Sequence, residues 1–513
     1  GATLLETIKT SKLKTIDIGK PLPLQEPYES DTLDLSSTGM DPGHIVILSW
    51  WLATDAAAAL TSVVLDGNEL SGTKIEHKGQ SYEKIEQLDA DLSGFTEFCA
   101  SLKSSTVVSL SLRKCYLGPQ ALDLLADAIK FMAALTSMNC LNNPLGEGVQ
   151  ILIKVFEETP RLRTLCGFEE GVEQIDWSES QKGPVEVALL AADLKAGRAI
   201  GAINLLTLSS TGNMRDQKTY TLTAGEEKID LSQKNLGSAD VTLLTVWLQR
   251  PGVTAALTSI VLDENELSGT KIKYKGESYE RIEQLDADLS GFTEFCSSLK
   301  SSTVVSLSLR KCYLGPQALD LLADAIKFMA ALTSMNCLNN PLGEGVQILI
   351  KVFEETPRLR TLCGFEEGVE QIDWSESQKG PVEVALLAAD LKAGRAIGAI
   401  NLLTLSSTGN MRDQKTYTLT AGEEKIDLSQ KNLGSADVTL LTSWLQRPEV
   451  TGAVASLCCA NNPGMVGELD VWGALKTTPD VHAEVFKQLT DSLKTSKVTE
   501  VDFSSCGIGP VAL

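Results

Sequence analysis

The chain has 513 residues, with 45 Lys or Arg and 67 Asp or Glu, so its formal net charge is −22. A nucleic-acid-binding surface needs clustered basic residues. No such cluster outweighs this acidic charge, so we expect no nucleic-acid partner. No apolar run approaches the roughly 18 residues of a membrane span, so we expect no span, whereas 43% hydrophobic residues suffice for a long core.

The sequence is periodic. Residues 101–245 recur unchanged at 298–442, an offset of 197 residues, and the match continues less perfectly towards the N-terminus. Differences there include the pairs Gly67/Glu264, Glu76/Lys273, His77/Tyr274, Lys84/Arg281 and Ala100/Ser297. We read one continuous solenoid, 1–513, made of partial N-terminal repeats (1–32), repeat unit 1 (33–229), repeat unit 2 (230–426) and a partial unit 3 (427–513). Both ends fall inside a unit, so we expect the sequence to be a window on a longer array.

A shorter motif recurs inside each unit. Apolar residues follow the spacing LxxLxLxx(N/C)xL in 60–70 (LTSVVLDGNEL), 107–117 (VVSLSLRKCYL), 135–145 and 498–508. The alternating part predicts a short strand with its leucines facing the core. The apolar spacing of 118–134 (GPQALDLLADAIKFMAA) predicts a helix after the strand. The Asn or Cys of the motif is expected to be buried and satisfied by the backbone of adjacent turns.

These motifs resemble the leucine-rich repeats of the ribonuclease-inhibitor-like class. The resemblance implies an α/β leucine-rich-repeat solenoid, with a curved parallel sheet inside and helices outside. It also implies a protein partner bound on the concave face or on the insertions. Because a fold does not determine an activity, the resemblance alone names no function.

Two segments in each unit are longer than one turn requires. Residues 71–95 and 212–232 carry alternating apolar residues around a Gly, which predicts hairpin-like insertions. Residues 165–177 are too short for a complete turn, and there we expect an irregular turn without a helix.

The side chains between the motif leucines are expected on the concave face. They are mostly small, polar or acidic, whereas binding hot spots favour Trp, Tyr and Arg. The candidate partner-binding residues are Ser109, Ser111, Arg113, Asn139 and Asp176 in unit 1, and Ser306, Ser308, Arg310, Asn336 and Asp373 in unit 2. The tryptophans are predicted to pack in the core: Trp50, Trp247 and Trp444 on one recurring helix, and Trp177 and Trp374 on one recurring strand.

A calcium site is a second, weaker candidate. The sequence DADLSG matches the start of an EF-hand loop, with oxygen ligands expected from Asp89, Asp91, Ser93 and Glu97, and from Asp286, Asp288, Ser290 and Glu294 in unit 2. The match fails at the twelfth position, where a bidentate Glu is needed and Ala100 or Ser297 stands. The alternative is that Asp91 or Ser93 caps the helix that follows, so no metal is expected.

No feature of the sequence favours catalysis. The three histidines are His44, His77 and His482, and repeat unit 2 contains none, so a repeated site has no histidine base or metal ligand. The 11 cysteines include no CxxC pair and are expected to be small buried hydrophobes, with Cys458 and Cys459 on opposite sides of a strand. No cofactor and no enzymatic activity are expected. Free thiols and the lack of glycosylation sequons favour an intracellular location, although an extracellular fibre stays open.

Two functional hypotheses follow. In the first, the chain is a structural repeat protein that builds a fibre, filament or scaffold, with copies of itself joined end to end as partners. Seven strands per unit at about 4.8 Å would then repeat every surface patch each ~34 Å. In the second, the chain is a protein-binding module that recognises a partner on its concave face. Recent duplication without functional selection would explain the identical copies equally well.

Overall fold

The computed structural model describes residues 2–76, 83–180, 182–273, 281–377, 379–469, 475–476 and 480–512. It divides into two compact units. The first unit comprises Gly1–Ala224 and Ala239–Arg250, and the second comprises Gly225–Ser238 and Pro251–Leu513. Each is a mixed α/β structure of repeated strand–helix turns, compatible with a repeat solenoid, and none of the sheets in the described ranges closes into a barrel.

The first unit alternates short strands with helices. Its helices are α1 (Ala2–Thr10), α2 (Pro42–Leu52), α3 (Ser93–Leu102), α4 (Pro119–Phe131), α5 (Gly148–Glu157), α6 (Pro184–Ala196) and α7 (Ser238–Leu248), with a 3-10 turn at Asp55–Ala57. Its strands are β1 (Thr15–Asp17), β2 (Pro21–Pro23), β3 (Thr32–Asp34), β4 (Ser62–Val64), β5 (Lys74–Glu76), β6 (Lys84–Gln87), β7 (Ser109–Ser111), β8 (Ser137–Asn139), β9 (Gln174–Asp176), β10 (Leu205–Ser209) and β11 (Thr219–Thr223).

The second unit repeats this order. Its strands are β12 (Lys228–Asp230), β13 (Ser259–Val261), β14 (Lys271–Lys273), β15 (Arg281–Gln284), β16 (Ser306–Ser308), β17 (Ser334–Asn336), β18 (Gln371–Asp373), β19 (Leu402–Ser406), β20 (Thr416–Thr420), β21 (Lys425–Asp427), β22 (Ser456–Cys458) and β23 (Glu500–Asp502). Its helices are α8 (Pro251–Thr254), α9 (Ser290–Leu299), α10 (Pro316–Phe328), α11 (Gly345–Glu355), α12 (Pro381–Ala393), α13 (Ser435–Leu445), α14 (Pro448–Thr451) and α15 (Ala483–Leu493), with a 3-10 turn at Pro463–Met465.

The main sheets are parallel and in register. In the first unit the order is β3-β4-β7-β8, and the middle residues Leu33, Val63, Leu110 and Met138 lie side by side. These residues are at most 1% exposed, whereas the flanking residues of β4, β7 and β8 are half-exposed. This alternation is the period-2 pattern of a sheet with one buried face. Helices such as α4 bury their apolar stripe against the opposite side of the core.

A left-handed residue follows each regular strand at the third position after its end. Gly67, Lys114 and Asn142 are examples, with φ of +73°, +54° and +60°. After β4, β7 and β8 the next residue is the buried Asn or Cys of the motif, whereas after β3 it is the half-buried Thr38. Asn143 shows its role: Oδ1 accepts from Cys115 N at 2.9 Å and Nδ2 donates to Leu112 O at 2.7 Å. These bonds join one turn to the turn before it, as the motif predicts.

Cysteine takes the place of this buried Asn in other turns. Cys115 Sγ lies 3.1 Å from Leu65 O, in the place of the amide donor of Asn143. The predicted satisfaction of the buried motif residue by neighbouring backbone is therefore confirmed for Asn and Cys alike.

The first predicted insertion contains an antiparallel pair, whereas the second supplies one strand, β11, to a pair with β10, which precedes the insertion. In the first, β5 pairs with β6, but its tip, residues 77–82, lies outside the described residues, as do 274–280 in the second unit. In the second insertion, β11 pairs with β10, which itself pairs in parallel with β9. The second insertion therefore adds a strand to the sheet.

The helix-free turn predicted near 165–177 is confirmed, and a buried aspartate holds it. Between α5 and β9 the described chain contains no helix. Asp193 of α6 is 0% exposed and accepts from Thr164 Oγ1 at 2.5 Å, Leu165 N at 2.7 Å and Cys166 N at 3.2 Å. Its carboxylate thus satisfies backbone N–H donors of the kind that the buried motif Asn satisfies in a regular turn.

Arginines close the C-terminal ends of several helices. Arg198 Nη1 donates to Phe156 O at 3.1 Å in the last turn of α5, and to Thr159 O at 3.1 Å and Leu162 O at 2.7 Å beyond it. Its guanidinium carbon lies 4.7 Å from the centre of the Phe156 ring. A cation at this end satisfies orphan carbonyls and interacts favourably with the helix dipole.

Two tryptophan predictions need correction. On α2 the fully buried residue is Trp51, at 0% exposed, and Trp50 is only partly buried; Trp247 and Trp444 are buried as predicted. At this helix the offset between the repeats is one residue shorter than 197. The residue equivalent to Trp247 is therefore Trp51, and the 197-residue offset points to the adjacent Trp50. Trp177 lies just after β9, partly buried, rather than at an inward strand position.

Candidate functional site

The side of each three-residue strand that faces away from the core carries its first and third residues, and we call this the strand face. In the first unit it includes Ser109, Ser111 and Asn139, and in the second Ser306, Ser308 and Asn336, all half-exposed. These predicted residues are therefore brought to one face within each unit. Their side chains are small, so the strand face offers hydroxyl and amide groups.

Asp66 forms hydrogen bonds to β7 and to the loop that carries Arg113. Its Oδ1 accepts from Ser111 Oγ at 2.6 Å and from Arg113 N at 2.9 Å. The loop after β4 is thereby fixed to the loop after β7. Arg113 itself is exposed, and within the described residues its guanidinium makes no ion pair.

The second unit differs at this point. Asp263 repeats both bonds of Asp66, to Ser308 Oγ at 2.6 Å and Arg310 N at 2.9 Å. The Arg310 guanidinium is also paired, with Nε 3.3 Å from Asp263 Oδ2 and Nη2 3.0 Å from Glu264 Oε1. Glu264 stands where the first unit has Gly67. This single difference in sequence explains why the Arg310 guanidinium has a carboxylate partner that Arg113 lacks.

The remaining predicted residues make mainly local bonds. Asn139 Oδ1 accepts from Leu141 N at 3.2 Å, and Asn336 repeats this contact. Asp176 is exposed and accepts from Ser178 N at 2.9 Å, and hydrogen bonds from Ser178 lower the pKa of Asp176. Asp373 has the same arrangement with Ser375. These residues are available on the surface, but no shared site gathers their side chains.

The sequence patterns do not predict a cluster of one lysine, Lys182, with two aromatic rings. Lys182 is only 6% exposed, and its Nζ donates to Asn142 Oδ1 at 2.7 Å and lies 5.4 Å from the centre of the Trp177 ring. Trp177 stacks on Phe168 with ring centres 6.0 Å apart. Burial lowers the pKa of Lys182, Glu186 opposes that shift, and the charge of Arg113 adds to it. The two cations therefore lie within electrostatic reach of each other.

The residues of the calcium candidate have other roles. The carboxylate of Asp89 accepts from Gly118 N at 2.8 Å, Gln120 N at 2.9 Å and Ala121 N at 3.0 Å, at the start of α4. A Cβ on Gly118 would meet Asp89 Oδ2 at 2.6 Å, so this position needs a glycine. Asp91 Oδ1 accepts from Ser93 N at 3.0 Å, close to the start of α3. Asp89 thus caps the N-terminus of α4, although it lies far from that helix in the sequence.

Among the described residues, no group of three or more His, Cys, Asp or Glu side chains is arranged to hold a metal ion. Glu97 and Glu294 are exposed on the helices that follow the two loops. The carboxylates of Asp286 and Asp288 repeat the bonds of Asp89 and Asp91.

The cysteines are free and, apart from Cys458, buried. Burial raises the pKa of the Cys99, Cys115 and Cys337 thiols to about 12, which disfavours the reactive thiolate. Cys459 is 0% exposed, whereas Cys458 is half-exposed on the strand face. The predicted opposite orientation of this pair is confirmed.

A cavity of about 230 Å³ lies in the second unit beside Arg447. Arg447 Nη2 donates to Gly398 O at 3.0 Å and also pairs with Glu449. These contacts give the arginine a structural role at the end of a helix. No helix in the described ranges is long and apolar enough to cross a membrane.

No protein-family model matches the chain, and a search of curated proteins returned no match. The function therefore has to be inferred from the repeated turns and their surfaces.

Proposed function

We propose that the chain is a non-enzymatic structural protein, a segment of a periodic leucine-rich-repeat solenoid of the ribonuclease-inhibitor-like type that builds a fibre, filament or scaffold. The observation that carries this proposal is the unbroken identity of 101–245 and 298–442, which includes exposed positions. Core packing constrains buried residues but leaves exposed residues free to change. If repeated surfaces contact one another or a periodic partner, exposed residues are constrained as well as buried ones, and both kinds are retained.

Strand β23 carries an exposed apolar side chain at an inward position. Val501, the middle residue of β23, is 52% exposed, whereas Leu457 of the paired strand β22 and Leu307 of β16 are each 1% exposed. An exposed strand edge with apolar side chains is a template for a further turn. That turn can come from the same array or from another copy, and a head-to-tail contact that does not close gives filaments.

The net charge of −22 opposes association between copies. Screening shortens the range of this repulsion to about 8 Å at physiological ionic strength, compared with about 30 Å at 0.01 M. We therefore expect association to strengthen as salt is added, because apolar stacking is not weakened by screening.

Sedimentation velocity on the full chain, over a range of concentrations and salt, tests this proposal. We expect species larger than one chain at physiological salt, and their loss in Val501→Lys. Val511→Lys is the matched control, because Val511 is 80% exposed but lies outside the strands. Unchanged assembly in Val501→Lys, or a monomer under all conditions, would contradict stacking on β23.

The second candidate is a protein-binding module, and the exposed guanidinium of Arg113, in the loop beside the strand face, favours it. In that case the chain stays monomeric and binding depends on Arg113, Asn139, Arg310 and Asn336. The structural proposal instead expects that alanine at these four positions leaves assembly unchanged, so the same sedimentation series separates the two.

A further inference from the structure

The two repeat units give an internal comparison at one position. Gly67 and Glu264 occupy the same left-handed place after the strand, with φ of +73° and +61°. Left-handed backbone is costly for a residue with a side chain, by about 1 kcal/mol or more. Glu264 is held there with its carboxylate on the Arg310 guanidinium, at 3.0 Å.

The carboxylate of Glu264 shows what fits beside the arginine. In the first unit the side chain that would occupy this space is absent, and Arg113 is exposed. We propose that Arg113 binds a carboxylate of an acidic peptide segment from a partner protein, and that Glu264 fills the equivalent place in the second unit.

The neighbours of Arg113 favour a single carboxylate. The nearly buried Lys182 contributes positive potential, while Asp66, bonded to Arg113 N, contributes one negative charge. A dianionic phosphate would meet stronger repulsion from Asp66 than a singly charged carboxylate. Guanidinium groups also match planar carboxylates in shape and hydrogen-bond geometry.

The surrounding strand face favours an extended chain. Ser109, Ser111 and Asn139 are half-exposed and present small hydroxyl and amide groups. Such side chains leave room for a peptide backbone and can bond to it. This proposal is independent of assembly, because it concerns the strand face and the stacking proposal concerns β23.

Arginine-selective labelling with phenylglyoxal tests the proposal residue by residue. Cleavage after glutamate gives one peptide per unit that contains the arginine, and Ala100 or Ser297 distinguishes the two peptides by mass. In the full chain we expect Arg310 to react about three- to fivefold more slowly than Arg113, the range that a partly exposed ion pair supports. Equal rates would overturn the assignment of Glu264 as an occupant.

An acetylated hexaglutamate peptide is the probe, with hexaglutamine at the same ionic strength as the control. We expect hexaglutamate to slow labelling of Arg113 and to leave Arg310 unchanged. Equal protection by hexaglutamine, or no protection at all, would overturn the proposal. Equal protection by the same concentration of inorganic phosphate would show a general anion site instead of an acidic-peptide site.

Two reciprocal variants complete the test. Gly67→Glu should slow labelling of Arg113 to the rate of Arg310 and remove its protection by hexaglutamate. Glu264→Gly should raise Arg310 to the rate of Arg113 and make it protectable. Each variant installs the residue that the other unit carries at that place. A Cβ at position 67 would meet Ser37 Oγ at 2.8 Å, so this hydroxyl has to move in Gly67→Glu. The thermal unfolding midpoint of each variant provides the control for folding. Unchanged labelling rates in both variants would contradict the proposal.

Discussion

Asn143 illustrates how single buried polar side chains hold successive turns together. It accepts from Cys115 N and Leu117 N and donates to Leu112 O and Cys140 O. Asn143→Ala leaves these buried groups unsatisfied, so we expect a loss of about 2–4 kcal/mol in the free energy of unfolding. Urea denaturation measures this loss. Asn139→Ala, on the half-exposed strand face, should cost about 0.5 kcal/mol, and equal losses would contradict the role of the buried amide.

The buried carboxylates of Asp193 and Asp390 make stability depend on pH. Burial raises the pKa of each from 3.8 to about 6. The folded state therefore binds these protons more tightly than the unfolded state, and the stabilisation is complete below the unfolded pKa and lost as pH rises through about 6. We expect the free energy of unfolding to fall between about pH 4 and pH 7, by about 2–3 kcal/mol per group.

Denaturation of the wild type and of Asp193→Asn/Asp390→Asn across this range measures that contribution. The variant should lose most of the pH dependence between about pH 5 and pH 7, where ordinary carboxylates are already ionised. A wild-type stability that rises with pH in this window, or an identical slope in the variant, would contradict the shifted pKa values.

At the scale of elements, arginines from later turns close the ends of earlier helices. Arg198→Ala removes three bonds to carbonyl oxygens at and beyond the end of α5 and the contact with the Phe156 ring. We expect the unfolding free energy to fall by about 2–4 kcal/mol, since hydrogen bonds from charged donors are stronger than neutral ones. Arg215→Ala, at an exposed position, is the control. A cost of Arg198→Ala no larger than that of the control would contradict the capping role.

Asp89 gives the corresponding test at the start of a helix. Asp89→Ala removes the acceptor of three backbone N–H groups at α4 and should cost about 2 kcal/mol. Asp91→Ala, with an exposed carboxylate that bonds only locally to Ser93, should cost about 0.5 kcal/mol. Thermal unfolding with about 1 mM calcium, at the weak end of natural calcium sites, should give an unchanged midpoint. An Asp89-dependent rise of several degrees would restore the calcium hypothesis.

At the scale of the molecule, local patterns predicted most of the fold. The motif spacing predicted the strands, the helices after them and the antiparallel pair of the first insertion, because each depends on residues close in sequence. Contacts over long separations were not predictable. Lys182 and Asn142 are 40 residues apart and Asp89 caps a helix 29 to 32 residues away. The 197-residue offset predicts Trp50 in the core, whereas the structure buries Trp51, because the two repeats differ in length by one residue at that helix.

The strands of the first unit form two described sheets. β3, β4, β7 and β8 pair in parallel, β9, β10 and β11 form the second sheet, and Thr164 and Cys166 form bridges with β8. The expected seven strand rows at about 4.8 Å, or ~34 Å per 197-residue repeat, stay a prediction.

Negative-stain electron microscopy of the full chain at physiological salt, over a range of concentrations, tests the structural proposal most directly. The proposal predicts filaments that lengthen with concentration and show an axial repeat of ~34 Å or a multiple of it, and their absence in Val501→Lys. Discrete single particles at every concentration, with light scattering that reports one chain, would contradict self-assembly of this protein.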